Sequence, residues 1–185
     1  MTNPSISRSC SLPPLATAAA LTVGLLAATL PNDHAHAFEL SRLTLRGGAG
    51  YIGGDPGAFQ AGVGVGYQIK PWLESGLTVD GRFPTEDTAP RAWLVGPYAT
   101  AFVPLPIIKP YAGLFYRHWF LSDFEIAGIN VSLDDLDSWG WRAGVLFASG
   151  PGLSLSLGLV NERFFDCEGD GCSDFYPEFG VRFSL

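Results

Sequence analysis

The last residues of the chain place the strongest restriction on its fold. Every second residue from Phe179 to Leu185 is apolar, and the residues between them are polar or glycine. Successive side chains of a β-strand point to opposite faces, so this segment predicts a strand with one apolar and one polar face.

The same alternation recurs along the chain. Eight segments show it, and most are near ten residues, longer than the usual strand of a soluble protein and close to the length that crosses a membrane. They cover residues 42–51, 59–70, 73–83, 92–103, 111–121, 141–147, 153–159 and 175–185. The fourth segment is apolar on both faces, so its orientation stays open. The pattern predicts an all-β fold with eight antiparallel strands.

The connectors between these segments alternate in length. The odd-numbered ones are 53–57, 84–91, 122–138 and 165–174, and the even-numbered ones are 70–72, 104–110 and 148–152. Three of the four odd connectors are longer than any even one. Membrane barrels show this asymmetry, with short turns on the periplasmic side and longer loops outside.

The start of the chain predicts secretion. Residues 15–30 are uncharged and mainly apolar, Pro31 follows them, and Ala35 and Ala37 stand where a signal peptidase reads small residues. A transmembrane anchor needs about 20 apolar residues, more than this run supplies. We therefore expect a signal peptide at 1–37 and one mature domain at 38–185.

Charge and composition limit the partners. The formal net charge is −7, and because nucleic-acid binding depends on Lys and Arg at phosphates, we expect no nucleic-acid partner. No cofactor motif and no spaced set of metal ligands stands out. The 23 Gly and the aromatic residues (13 Phe, 6 Tyr and 5 Trp) agree with a β-rich domain.

Alternation alone fits both a lipocalin-like soluble barrel, with its apolar face inside, and a membrane barrel, with its apolar face outside. The polar face favours the membrane barrel, because it is rich in glycine and carries charges of both signs that can pair across a lumen. Charges facing lipid would be costly. The predicted lumen charges are Arg42, Arg46, Glu74, Asp80, Arg82, Arg117, Arg142, Glu162, Glu178 and Arg182. Aromatic residues near the segment ends match the girdles of a membrane barrel.

The region 38–185 resembles the eight-stranded outer-membrane barrels of Gram-negative bacteria, of the OmpA transmembrane-domain, OmpX and OmpW type. The terminal segment 179–185 and the entry to the fifth strand, Lys109 to Gly113, carry the resemblance. It implies an eight-stranded antiparallel up-and-down transmembrane β-barrel in the bacterial outer membrane. It also implies contact with outer-membrane lipid and lipopolysaccharide, and recognition of the C-terminal strand by the barrel-assembly machinery.

Two external connectors have distinctive chemistry. Cys167 and Cys172 bracket a short segment of the last odd connector, and in an oxidising compartment we expect them to form a disulfide. The connectors 122–138 and 165–174 are acidic and contain no Lys or Arg. A solvated acidic surface is the ordinary interpretation, and a Ca²⁺ or Mg²⁺ site remains the alternative.

His118 is the residue that raises an enzymatic hypothesis. It shares a strand face with Tyr116 and Phe120 and is expected to face lipid near the external end. Lipid A deacylases are eight-stranded barrels with a lipid-facing His followed two residues later by a nucleophilic Ser, but Phe120 occupies that position here. Ser122 is four residues away, about 13 Å along a strand, too far to be activated by His118. We therefore predict no catalytic residues.

Two functional classes remain from the sequence. The first is a structural or surface-interaction barrel that meets an extracellular partner through its acidic loops. The second is a pore for ions or small solutes. Because the interior of an eight-stranded barrel is just wide enough for side chains to fill it, the charged lumen favours the first class.

Overall fold

The computed structural model describes residues 40–54, 57–86, 89–122, 124–126, 129–131, 134–150, 152–165, 167 and 172–185. The predicted signal peptide, 1–37, lies outside these residues, as do most of the acidic side chains of the last odd connector. In the described part of the chain, no helix has the length and apolar character needed to cross a membrane.

Eight long strands make one closed sheet. They are β1 (Leu43–Ile52), β2 (Ala58–Lys70), β3 (Leu73–Pro84), β4 (Ala92–Phe102), β5 (Ile108–Leu121), β8 (Leu136–Gly150), β9 (Leu153–Phe164) and β10 (Ser173–Ser184). Between β5 and β8, the short strands β6 (Phe124–Ile126) and β7 (Ile129–Val131) form a separate hairpin. A single turn of 3-10 helix, Leu40–Arg42, precedes β1.

Each long strand pairs antiparallel with the next one along the chain, and β1 pairs with β10 to close the barrel. The closing register runs from Thr44 opposite Ser184 to Gly50 opposite Glu178. Closure leaves no strand edge with unpaired backbone groups, which is a requirement for a sheet surrounded by lipid. The prediction of an eight-stranded antiparallel up-and-down transmembrane barrel is confirmed.

The two ends of the barrel differ in their connectors. At one end, called the turn end here, the connectors are 71–72, 103–107 and 151–152; at the other, the loop end, they are 53–57, 85–91, 122–135 and 165–172. Gly152 has a φ of 73°, in the left-handed region that favours glycine, which suits the tight connection between β8 and β9. β8 begins earlier than the alternation predicts, so Asp137 and Ser138 belong to a strand rather than to the acidic connector.

The apolar face points away from the barrel axis. In β4, whose orientation the sequence left open, Trp93, Val95 and Pro97 are exposed on the outside. Leu94 and Tyr98 alternate with them and are buried inside. Large apolar side chains cover the outside of other strands in the same way, for example Val63 at 67 % exposure and Phe179 at 60 %. This inverted arrangement is that of a barrel whose solvent is lipid.

Aromatic side chains collect at both ends of the outer surface. At the loop end, Tyr51 and Phe59 pack together with ring centroids 5.1 Å apart, and Phe83 meets Trp93 edge-on. At the turn end, the ammonium group of Lys70 lies 5.5 Å from the ring centroid of Trp72. Aromatic and basic side chains at these heights are typical of the two membrane–water interfaces.

Candidate functional site in the barrel lumen

The lumen is filled by three groups of charged side chains stacked along the barrel axis. The group nearest the turn end surrounds Glu74, which is completely buried. Arg182 donates from Nε to Glu74 Oε2 at 2.8 Å, and the Tyr98 hydroxyl donates to Oε1 at 2.8 Å. Arg46 lies 3.8 Å from Oε1 and covers the Tyr98 ring. This turn-end cluster ties β3, β4, β10 and β1 together.

The middle of the lumen holds Arg142, which is almost fully buried. Its Nη1 lies 3.4 Å from Glu178 Oε1, and its guanidinium group covers the rings of Phe115 and Tyr98 at 5.1 and 5.7 Å. A buried cation is stable only when charge and polarisable contacts replace the water that it loses. Glu178 and the two rings supply those contacts.

The third group lies towards the loop end and centres on Arg117 and Glu162. Arg117 Nη1 donates to Glu162 Oε2 at 2.9 Å and to the Tyr176 hydroxyl at 3.0 Å, while Nη2 lies 3.3 Å from Asp80 Oδ2. On its other oxygen, Glu162 accepts from Ser138, whose hydroxyl in turn accepts from the Trp119 indole. This loop-end cluster leaves neither carboxylate oxygen of Glu162 without a partner.

Apolar side chains close both ends of the lumen. Beyond the loop-end cluster, Ala92, Leu94 and Trp119 are buried against Leu121, Leu136 and Phe164. Beyond the turn-end cluster, Phe102, Tyr111 and Leu146 form a second buried group. An interior cavity among the charged side chains has a volume of about 40 Å³, enough for a few water molecules.

The structure places nine of the ten predicted lumen charges in the barrel interior. The exception is Arg42, which the alternation put on the lumen face. It lies in the 3-10 turn before β1, where the strand geometry has not begun, and its side chain is exposed at the turn end. Its Nη1 donates to the carbonyl of Ile69 at 3.5 Å.

One lumen charge was missed by the sequence analysis. Asp174 was assigned to the external connector, but β10 begins at Ser173 and directs Asp174 inwards, where it accepts from Arg82 Nη1 at 2.8 Å. Asp174 is even-numbered, like Glu178 and Arg182 of the same strand, and this alternation indicated that its side chain faces the lumen. With Asp174 included, the interior balances five cations against five anions among the described residues. The cations are Arg46, Arg82, Arg117, Arg142 and Arg182, and the anions are Glu74, Asp80, Glu162, Asp174 and Glu178.

The expected disulfide is present. Cys167 and Cys172 are bonded, with their Cα atoms 5.4 Å apart, in the connector between β9 and β10. No group of three or more His, Cys, Asp or Glu side chains in the described part of the chain is arranged to hold a metal ion.

A second polar group lies on the outer surface near the loop end. His118 Nδ1 and Asp137 Oδ1 are 2.8 Å apart, and the Tyr116 hydroxyl donates to the same oxygen. The side chain of His118 is 38 % exposed, and Phe120 packs edge-on against its ring. Ser122, the serine nearest to His118 along the chain, donates instead to the Arg91 carbonyl at 2.8 Å. His118 and Asp137 therefore form a His–carboxylate pair beside a phenyl ring.

The fold and its filled lumen define the class of the protein, a closed eight-stranded β-barrel of the outer-membrane type. No protein-family model matches the sequence, and a comparison with curated proteins finds no match. Among solved structures, the chain is similar to Neisserial surface protein A (NspA), with 15 % identity, a TM-score of 0.61 and coverage of 77 % of this chain and 96 % of that one. It is also similar to the outer membrane enzyme PagL, with 11 % identity, a TM-score of 0.52 and coverage of 77 % and 99 %. At these identities the likeness shows the fold alone.

Proposed function

We propose that this protein is an integral outer-membrane barrel that conducts no solute and acts through the surface formed by its loop-end connectors. The observation that carries the proposal is the filled lumen, in which paired charges lie between two apolar groups. A pore needs a continuous path of water, and a cavity of about 40 Å³ does not supply one. The barrel is then a rigid membrane anchor, and the connectors are the part that meets other molecules.

The proposed orientation puts the loop end outside the cell and the turn end in the periplasm. The longer connectors support it, since outer-membrane barrels carry their longer loops on the external side. The expected signal peptide supports export, and the apolar outer face supports insertion into lipid. The C-terminal strand, β10, is then available for recognition by the barrel-assembly machinery.

The chemistry of the loop end supports a surface-interaction role. Asp134 and Asp135 are exposed next to β8, and the sequence of the two longest connectors is rich in carboxylates. Such a surface attracts basic partners and the divalent cations that bridge lipopolysaccharide phosphates. The solved structure described as Neisserial surface protein A is, by that description, a surface protein with a barrel of similar size.

A pore is the second functional class, and a conductance measurement separates it from the first. We expect the wild-type protein in planar bilayers to show no discrete conductance steps. The matched variant carries Arg117→Ala together with Glu162→Ala, which removes a cross-lumen pair without changing net charge and should raise the frequency of ion passage. Discrete conductance steps in the wild-type protein, as frequent as those of this opened variant, would contradict the proposal.

Surface display has its own experiment. A peptide tag inserted between β6 and β7 should be labelled on intact cells, whereas the same tag inserted in the connector 103–107 should be labelled only after permeabilisation. The reverse pattern would show that the proposed orientation is wrong. Heat-dependent migration on gels confirms in each case that the tagged barrel has assembled.

A further inference from the structure

The outer wall of the barrel is indented across the neighbouring strands β10, β1, β2 and β3. The indentation is an apolar groove of about 550 Å³, lined by Leu45, Gly47, Val63, Val65, Leu77 and Phe183. Gly47 forms its floor, because this outward position has no side chain and a Cβ added there would meet only the Gly62 carbonyl oxygen, at 3.9 Å. Exposed Val63 and Leu77 rise beside this floor.

Two cationic side chains, Arg42 and Lys70, lie at the turn end of the strands that line the groove. Leu43 lies opposite Tyr67 in the β1–β2 pairing, and both are on the outward face between the groove and the end of the barrel. Arg42 lies in the 3-10 turn immediately before β1, with its guanidinium group 3.5 Å from the Ile69 carbonyl, and Lys70 ends β2. The Arg42 and Lys70 side chains are both exposed, and Trp72 lies beside Lys70.

From the turn end inwards, cationic side chains are followed by an apolar groove. This order matches that of the charged headgroup and the acyl chain of a lipid. Leu43, which directly follows Arg42 and begins β1, precedes Gly47 by four positions, roughly 13 Å along the strand, which is comparable to half of the ~30 Å hydrocarbon core of a bilayer. A headgroup at the margin thus has an acyl chain long enough to reach the groove. Cations at this margin complement a negative headgroup, and the aromatic ring of Trp72 suits the interface.

We infer that the groove and these two cations form a binding site for one anionic diacyl glycerophospholipid. Its phosphate lies at Arg42 and Lys70, and one acyl chain fills the groove over Gly47. The inference rests on the proposed membrane location, and under the proposed orientation the lipid belongs to the periplasmic leaflet. This site binds one class of lipid at one side of the barrel, whereas the rest of the outer surface contacts lipid non-specifically.

The site can be tested on purified, delipidated protein in detergent by native mass spectrometry, with phosphatidylglycerol as the anionic probe and phosphatidylcholine as the zwitterionic one. We expect one phosphatidylglycerol to bind more tightly than phosphatidylcholine. Arg42→Gln and Lys70→Gln should each weaken phosphatidylglycerol binding roughly fivefold. Gly47→Leu, which fills the groove, should weaken binding of both lipids.

Matched controls are available on the opposite wall of the barrel. Lys109→Gln removes a cation at the turn end of β5, the strand opposite β1 in the barrel, and Ala112→Leu places a leucine side chain on the outward face of the same strand. Both controls should bind phosphatidylglycerol as the wild type does. Binding that is unchanged in Gly47→Leu or in the Arg42→Gln, Lys70→Gln double variant overturns the site, as does equal loss in the controls.

Two further measurements keep the result interpretable. If Gly47→Leu does not assemble, as judged by heat-dependent gel migration, Gly47→Val fills less of the groove and takes its place. A G47C variant in liposomes tests the other occupant, a second copy of the chain, and disulfide-linked dimers in high yield would overturn the lipid assignment. None of these outcomes affects the conductance test, so the lipid site and the proposed function can fail separately.

Discussion

Arg117 and Glu162 are joined across the barrel interior, with Nη1 2.9 Å from Oε2 and side-chain exposures of 3 % and 0 %. Arg117 is on β5 and Glu162 on β9, two strands that are separated by β8 in the sheet. Ser138 on β8 and Tyr176 on β10 donate to the same carboxylate. One buried carboxylate therefore links four consecutive strands through the lumen.

Removing one member of this pair should destabilise the barrel strongly. We expect Glu162→Ala to lower the free energy of unfolding by about 3–5 kcal/mol, because Arg117 would keep its charge in a site that excludes water. Urea-induced unfolding from liposomes, followed by tryptophan fluorescence, measures the change. The double variant Arg117→Met, Glu162→Leu removes both charges but leaves Asp80 without Arg117, so it should recover only part of the loss. A single variant as stable as the wild type would show that the pair adds little.

Glycine on the lumen face should be required wherever a large side chain approaches the wall. A Cβ added at Gly66 would collide with the Tyr98 hydroxyl, with Thr44 and with Glu74 of the turn-end cluster. We expect Gly66→Ala to reduce the assembled fraction, measured as the heat-modifiable band on gels. The same substitution at Gly53, where nothing lies within 4 Å, should have no effect. Equal behaviour of the two variants would contradict the close packing of the lumen.

The His118–Asp137 pair on the outer surface should contribute modestly to stability. Asp137 accepts from the Tyr116 hydroxyl and contacts His118, but the site is partly exposed, so solvent screens both interactions. We expect Asp137→Asn to cost about 1 kcal/mol. A double-mutant cycle with Tyr116→Phe isolates the hydroxyl contact. An interaction energy of zero in that cycle would mean that the hydrogen bond does not stabilise the fold.

Strand alternation predicted the fold because a barrel surrounded by lipid has to keep its apolar face outside along every strand. Nine of the ten charged residues that alternation assigns to the lumen lie in the barrel interior. Arg42 was misplaced because the alternation of even- and odd-numbered residues was extended to a residue that precedes the strand. Asp174 was missed for the opposite reason, since an acidic run was taken as loop although β10 had already started there.

The particular contacts inside the lumen were beyond prediction from sequence. Glu74 and Arg182 are both even-numbered, so alternation places them on the same face of the sheet. Their sequence separation of 108 residues gives no sign that the two side chains form a hydrogen bond. That contact follows from the register of all eight strands and from the closure of β1 onto β10. The inward position of Tyr98 was equally hidden, because β4 is apolar on both faces and has no polar residue to mark its inner side until Thr100.

The outward face offers the most discriminating comparison, because the same substitution can be made at two depths. Leu157, near the middle of β9, and Phe175, near the start of β10, are both exposed on the outer surface, at 45 % and 58 %. We expect Leu157→Arg to cost about 2–4 kcal/mol, because an arginine at the bilayer midplane must leave water or distort the lipid. Phe175→Arg should cost only about 0–1 kcal/mol at the interface. The free energy of unfolding from liposomes measures both, and equal small losses in the two variants would show that the outer face does not contact hydrocarbon. A large loss at Phe175 alone would instead move the membrane boundary towards the loop end.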